Sequence, residues 1–155
     1  MKILTVPDKS LREECAPFPF EGPGTWTESK LGRTLMLMLD AMYLHNGIGL
    51  AAPQVGLNAR LVVVDPLGLR HQARVMFNPE IRWESGDTNT DVEGCLSVPG
   101  KAALVQRHSR VKVAYYTRQG LRQDLDTEDD QLLARVIQHE VDHLNGVLFT
   151  DKAVA

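Results

Sequence analysis

Gln138-His139-Glu140-Val141-Asp142-His143 reads H-E-x-x-H, and the run before it, Leu132-Leu133-Ala134-Arg135-Val136-Ile137, has helical character. On a helix, residues four apart stand one turn apart on the same face. His139 and His143 can therefore aim two imidazoles at one ion. Glu140, beside the first of them, is placed to handle a proton on water activated there. The same residues could also end an amphipathic helix without any metal, so the surroundings must decide.

Thr127-Glu128-Asp129-Asp130 predicts the helix start, a hydroxyl cap followed by carboxylates at the positive end of the dipole. Asn145-Gly146 predicts the stop, because glycine takes the left-handed C′ conformation cheaply. Between them Leu132, Val136, His139 and His143 share one stripe, and Leu133, Ile137, Glu140 and Leu144 share the next. The histidines thus continue an apolar face at the core boundary. Burying two histidines and a carboxylate without partners is costly, and a bound cation removes that cost. The extended pattern H-E-x-x-H-x-x-G-x-x-H begins correctly through Gly146 but ends on Phe149, which binds no metal. Asp151 is the only later carboxylate, so the third ligand is expected upstream.

The 155 residues fit one domain, 1–155, long enough to bury about 68–70% of the unfolded surface. A net charge of −3 and the lack of a basic tract give no sign of nucleic-acid binding. The N-terminus is too short in apolar character for a signal peptide, and no run reaches membrane-spanning length. Cys15 and Cys95 form no C-x-x-C pair, which favours a reducing cytosol and cytoplasmic location. Cys15 reads as a small buried apolar residue.

Pro17 to Gly24 reads as an irregular connector. Thr25-Trp26-Thr27-Glu28 resembles a capping box. Leu31, Leu35, Met38 and Met42 then follow at helical spacing, with the end near His45-Asn46-Gly47. The methionines Met36, Met38 and Met42 are expected in the core. Gly47-Ile48-Gly49-Leu50-Ala51-Ala52-Pro53-Gln54-Val55-Gly56 is small and apolar, suited to close approach of backbone to a ligand or to a tight packed crossing.

Short β-branched or alternating runs follow at 60–65, 74–78, 81–84, 103–106, 111–117 and 121–125, separated by turn residues. Close spacing argues for antiparallel strands. The expected class is α+β: antiparallel sheets packed around a C-terminal metal-binding H-E-x-x-H helix, with one N-terminal helix. His45, His71 and His108 sit at turns or ends and are weaker ligand candidates. Glu93-Gly94-Cys95-Leu96-Ser97 is expected between strands. Its cysteine is either a buried structural residue or a ligand. A thiolate with two imidazoles is a familiar set for a catalytic divalent metal, and the helix lacks its third ligand, so Cys95 is the favoured choice.

Three segments, Gly47 to Gln54, Glu93 to Ser97 and Gln138 to Gly146, together resemble the signature motifs of the peptide deformylase family, in order and at similar separations. The resemblance implies hydrolytic removal of the formyl group from the N-terminal formylmethionine of new polypeptides, with release of formate. It implies that Cys95, His139 and His143 hold the metal and that Glu140 is general base and then acid. Gln54 and the Leu96 N–H would stabilise the oxyanion, and Gly49 would offer backbone hydrogen bonds to substrate. It also implies a supporting ion pair of Glu93 with Arg107. The family metal is one divalent ion, Fe2+ in cells, replaceable by Ni2+, Co2+ or Zn2+. A pocket for the methionine side chain is expected near Ile48, Leu132 and Val136. Asp142 is read as lying at the surface or behind the ligands.

N-formylmethionyl peptides are the expected partners, with docking near the ribosome exit, no nucleic acid needed for catalysis, no membrane and a monomeric state. Many members continue into a further C-terminal helix, whereas this sequence stops nine residues beyond Gly146. Shorter forms, such as those of bacteriophages, resemble this length. Two other readings compete: a protease cleaving internal peptide bonds, and a noncatalytic module with a structural metal. The missing downstream ligand weakens the first. The want of a fourth protein ligand weakens the second.

Overall fold

Leu61-Val62-Val63-Val64 carries no polar position, because both of its faces are covered. In the computed structural model, which describes residues 1–154, helix α1 (Glu28–Leu44) precedes strands β1 (Gly49–Ala51) and β2 (Leu61–Val64). Strands β3 (Arg74–Glu84), β4 (Thr88–Cys95), β5 (Val98–His108), β6 (Val111–Tyr116) and β7 (Arg122–Asp126) follow, and helix α2 (Gln131–Leu144) comes last. The strands form an antiparallel sheet in the order β1-β2-β3-β6-β7 and a separate β4–β5 hairpin. This is the expected α+β arrangement of two helices and antiparallel sheets.

Alternation along the strands divides the core. Leu61, Val63, Leu50 and Phe77 face Leu31, Leu35, Met38 and Met42 of α1. Val62, Val64, Ala51 and Met76 face Leu133, Val136, Ile137 and Leu144 of α2. The sheet is thus the middle layer, and a continuous apolar run is what a strand buried on both sides requires. Cys15 joins the α2 side of the core, as expected. Met38 and Met42 are fully buried, but Met36 is 57% exposed and does not belong to the stripe.

Several boundaries differ from the sequence reading. Helix α1 is capped by Thr27, which accepts from the Lys30 N–H. Thr25 instead donates to the Gly22 carbonyl in the preceding turn. Helix α2 begins three residues later than expected, with Asp130 accepting from the Leu133 N–H. Thr127 is diverted to β6, where its hydroxyl bonds the backbone of Val111. Glu128, at φ +51°, breaks the helical path between them. Strand β3 runs through Asn78-Pro79, where two runs were expected, because an irregularity between Phe77 and Glu80 absorbs the proline.

Strand β4 was not expected. Its sequence, Thr88-Asn89-Thr90-Asp91-Val92-Glu93-Gly94-Cys95, lacks apolar alternation, yet it pairs with β5 from Thr88↔His108 to Gly94↔Ala102. The hairpin is anchored where Val98 and Val105 pack on Leu148 and Phe149. Among the described residues, no helix is long and apolar enough to cross a membrane.

Candidate metal centre

Cys95 ends β4 at a register shift beside Gly94, and the chain turns back at once into β5. That turn aims its sulfur at α2, where Sγ lies 3.3 Å from Nε2 of His143. His139 stands one turn earlier, its ring centroid 5.0 Å from that of His143. One ligand atom from each of Cys95, His139 and His143 falls within 4.8 Å of the others. The cysteine expected between strands is therefore the last residue of one.

Glu93 lies two residues before Cys95, so both side chains leave β4 on the face toward α2. Its Oε1 accepts from His139 Nδ1 at 2.8 Å and from Arg107 Nη2 at 2.9 Å. Its Oε2 accepts from Arg107 Nε at 2.9 Å and from Arg135 Nη1 at 2.7 Å. Arg107 and Glu93 are almost fully buried, so this is an interior ion pair. Arg107 also donates to Asp142 at 2.6 Å, and Lys152 caps Asp142 from outside. Burial alone would raise the Glu93 carboxyl, but its hydrogen bonds from Arg107 and His139 hold it well below the usual carboxylate range.

The two imidazoles differ in kind. Burial would lower His139, but the Cys95 sulfur and the Glu93 carboxylate outweigh it and lift the ring to about 10. Burial, then the positive charges of His139 and Arg107, lowers His143 to about 3. Glu93 holds His139 Nδ1, which leaves Nε2 for a ligand. Burial also raises Glu140, with His139 opposing and Glu93 adding to the effect, to about 7.

Glu140 Oε1 lies 3.9 Å from His139 Nε2, and its Oε2 is buried without a partner. Gln54 is held by the Ala51 N–H on its Oε1 at 2.9 Å. Its Nε2 then points at Cys95 Sγ, 3.6 Å away, and at Ser97 Oγ, 3.1 Å away. A soft sulfur and two imidazole nitrogens form a donor set that suits a divalent transition metal, and the orphaned Glu140 oxygen beside them is free to meet its bound water. The residues fit such an ion.

A cavity of about 590 Å³ opens over this cluster. Ile48, Gly49, Gln54, Cys95 and Leu96 line it, as do Leu132, Val136, His139 and Glu140. His143 is 1% exposed and sits behind Cys95 as the innermost member. Leu132 and Ile48 are partly exposed at the rim, while Val136 is buried. His71 and His108 take no part in the ligand cluster, and His45 reaches only the cavity wall. The sequence reading missed Arg135, Asn89 and Ser97. The one signal for Arg135 was its place one turn before His139 in a run otherwise apolar.

The polypeptide deformylase family model matches residues 1–155. The peptide deformylase of Thermoanaerobacter pseudethanolicus is 42% identical over 152 residues, covering 98% of this chain and 88% of that protein. The crystal structure of peptide deformylase from Thermotoga maritima superposes with a TM-score of 0.88 at 36% identity, covering 99% of this chain and 97% of the other. That of a peptide deformylase from Synechococcus elongatus in complex with actinonin gives 0.86 at 40% identity, covering 99% and 79%. A probable peptide deformylase from Synechococcus phage S-SSM7 gives 0.86 at 38% identity, covering 97% and 98%.

Proposed function

Because the chain belongs to the polypeptide deformylase family, we propose that Cys95, His139 and His143 hold its metal and that Glu140 moves the proton. The enzyme is a metal-dependent hydrolase that removes the N-formyl group from newly made polypeptides and releases formate. The observation that carries the site assignment is the convergence of one sulfur and two imidazoles within 4.8 Å beside the buried Glu140 carboxylate.

A divalent ion held there supplies Lewis acidity that acidifies water and polarises a carbonyl. Glu140 takes a proton from the attacking water and later returns one to the departing amine. Burial raises the Glu140 carboxyl above the ordinary carboxylate range, which favours its returning a proton as well as taking one. The Gln54 amide, fixed by Ala51 and Ser97, and the Leu96 N–H receive the developing negative charge on the formyl oxygen. Gly49 presents backbone hydrogen bonds to the substrate chain, and Ile48, Leu132 and Val136 surround the methionine side chain. Glu93, itself held by Arg107, orients His139.

The finer reading assigns Fe2+ as the native ion, with Ni2+, Co2+ or Zn2+ as substitutes. Residues 1–155 form one catalytic domain that acts as a cytoplasmic monomer on formylmethionyl peptides near the ribosome exit, without needing nucleic acid. The deciding experiment is anaerobic purification with metal analysis, followed by assay of formate release from a formyl-Met peptide. One equivalent of divalent metal and stoichiometric formate are expected. Cleavage of an internally quenched, N-blocked peptide without formate release would overturn the proposal in favour of an endopeptidase.

A further inference from the structure

Arg135 runs against the local pattern. It stands on α2 between Ala134 and Val136, both core residues, and is 6% exposed. A buried guanidinium is tolerated only when its N–H groups find partners. Its Nη1 donates to Glu93 Oε2 at 2.7 Å and to the Val105 carbonyl at 2.8 Å. Its Nη2 donates to the Asn89 carbonyl at 2.9 Å and to Asn89 Oδ1 at 2.6 Å. Asn89 and Glu93 lie on β4 and Val105 on β5, so one side chain ties α2 to both strands of the hairpin that carries Cys95.

The topology gives that tie a consequence. Two of the three ligands belong to α2 and the third to the hairpin. Arg107 grips Glu93 from within the hairpin and meets α2 only through Asp142. Arg135 grips it from α2 itself, one turn before His139. The Glu93 carboxylate therefore bridges two residues on one helix face, His139 through Oε1 and Arg135 through Oε2. Rotation of that carboxylate would tilt the His139 ring, and slippage of the hairpin would move the Cys95 sulfur.

We propose that Arg135 is a positioning residue for the metal centre: by clamping Glu93 and Asn89 onto α2, it sets the separation of the Cys95 sulfur from the two imidazoles. The inference rests on the assignment of Cys95, His139 and His143 as ligands. A lysine cannot replace it, because one ammonium cannot reach Glu93, Val105 and Asn89 together.

The test uses the cobalt-loaded protein. Cobalt transfer to an excess of chelator is timed, and the visible absorption bands, which report ligand geometry, are recorded for wild type, Arg135→Met, Arg135→Lys and Asn89→Ala. Arg135→Met is expected to release cobalt about 10–100-fold faster with shifted bands. Asn89→Ala, which removes the Oδ1 contact but keeps the Asn89 carbonyl on Arg135 Nη2, should move both readouts the same way by less. A purely architectural tie would lower the unfolding temperature and leave release rate and bands as in wild type; that result overturns the proposal. Should Arg135→Met fail to fold, Arg135→Lys decides by the same two readouts. A Cys95→Ser control separates the premises. Wild-type release in that variant removes the ligand assignment and this inference with it. Accelerated release there, with wild-type behaviour of the Arg135 variants, removes this inference alone.

Discussion

A Cβ built on Gly49 would stand 2.7 Å from Oε1 of Glu140 and 3.0 Å from both Cγ and Cδ. Strand β1 and helix α2 thus meet edge to carboxylate, and Glu140, 3% exposed, has little room to retreat. Gly49→Ala must displace the carboxylate or the strand. Because the three candidate ligands, Cys95, His139 and His143, lie on β4 and α2 and none on β1, the variant should retain its metal. Its turnover should fall toward that of a variant lacking the proton carrier. Metal content measured alongside formate release checks this, and wild-type turnover would show that the carboxylate adjusts without cost.

Glu140→Ala tests the proposed proton-carrying role of that carboxylate directly. Loss of a positioned acid–base group typically costs about 10²–10⁴-fold in rate. Fold and metal content should persist, since the carboxylate accepts no hydrogen bond at Oε2 and lies beside the ligand set without belonging to it. Near-normal turnover would rule out its role.

The two histidines should titrate far apart in the cation-free protein. His139 is raised to about 10 and His143 lowered to about 3, so at neutral pH the first is cationic and the second neutral. The raised group contributes stability that is full below its unfolded value near 6.5 and is lost as pH rises through about 10. The depressed one destabilises the fold increasingly as pH falls from about 6.5 toward 3. A metal ligand must be a neutral imidazole, so cation uptake at neutral pH expels the His139 proton, which alone makes apparent affinity rise about tenfold per pH unit; any proton lost from the Cys95 thiol steepens the rise. Imidazole ¹⁵N shifts against pH, with and without Zn2+, report both rings; an affinity flat across pH 6–9 would contradict the assignment.

The legible part of this protein was the part written in local periodicity. The α2 stripes, a strand over 60–65 and the glycine-dense approach of β1 all showed in composition and spacing, though burial of Leu61–Val64 on both faces did not. Strand β4 did not, because a hairpin facing solvent on one side and a polar clamp on the other needs no apolar alternation. Arg135 was hidden for the same reason. Its partners, Glu93, Val105 and Asn89, are 30 to 46 residues away in sequence, and only the docked hairpin brings them together. Thr127 had the chemistry of a cap, yet β6 claimed its hydroxyl first. Tertiary competition, not propensity, moved that boundary to Asp130.

The Glu93–Arg107 pair is interior, with side chains 5% and 2% exposed, so its removal should be felt in stability as well as at the site. Arg107→Met leaves Asp142 with Lys152 alone and strips two hydrogen bonds from Glu93. Breaking a buried pair from one side costs roughly 3–5 kcal/mol. Arg135 and His139 remain on Glu93, which places the expected loss near the lower end. Thermal unfolding of the cation-free protein should show a drop of about 6–12 °C. A shift of only a degree or two would mean that the remaining donors fully compensate.

Gly146 closes the H-E-x-x-H-x-x-G stretch in sequence, yet its constraint is architectural. It sits at φ +72°, and a Cβ there would stand 2.4 Å from the Arg12 carbonyl oxygen and 2.7 Å from its carbon. The obstacle is backbone from the N-terminal segment, which cannot swing aside as a side chain would. Arg12 in turn reaches across to the Gly146 carbonyl and to Asp151. Gly146→Ala therefore meets a left-handed strain and a backbone clash together, roughly 2–4 kcal/mol. The expected signature is a fall in unfolding temperature of about 4–16 °C, with cation release from the folded protein unchanged. Faster release at wild-type stability would mean that this turn holds His143 in place in addition to ending the helix.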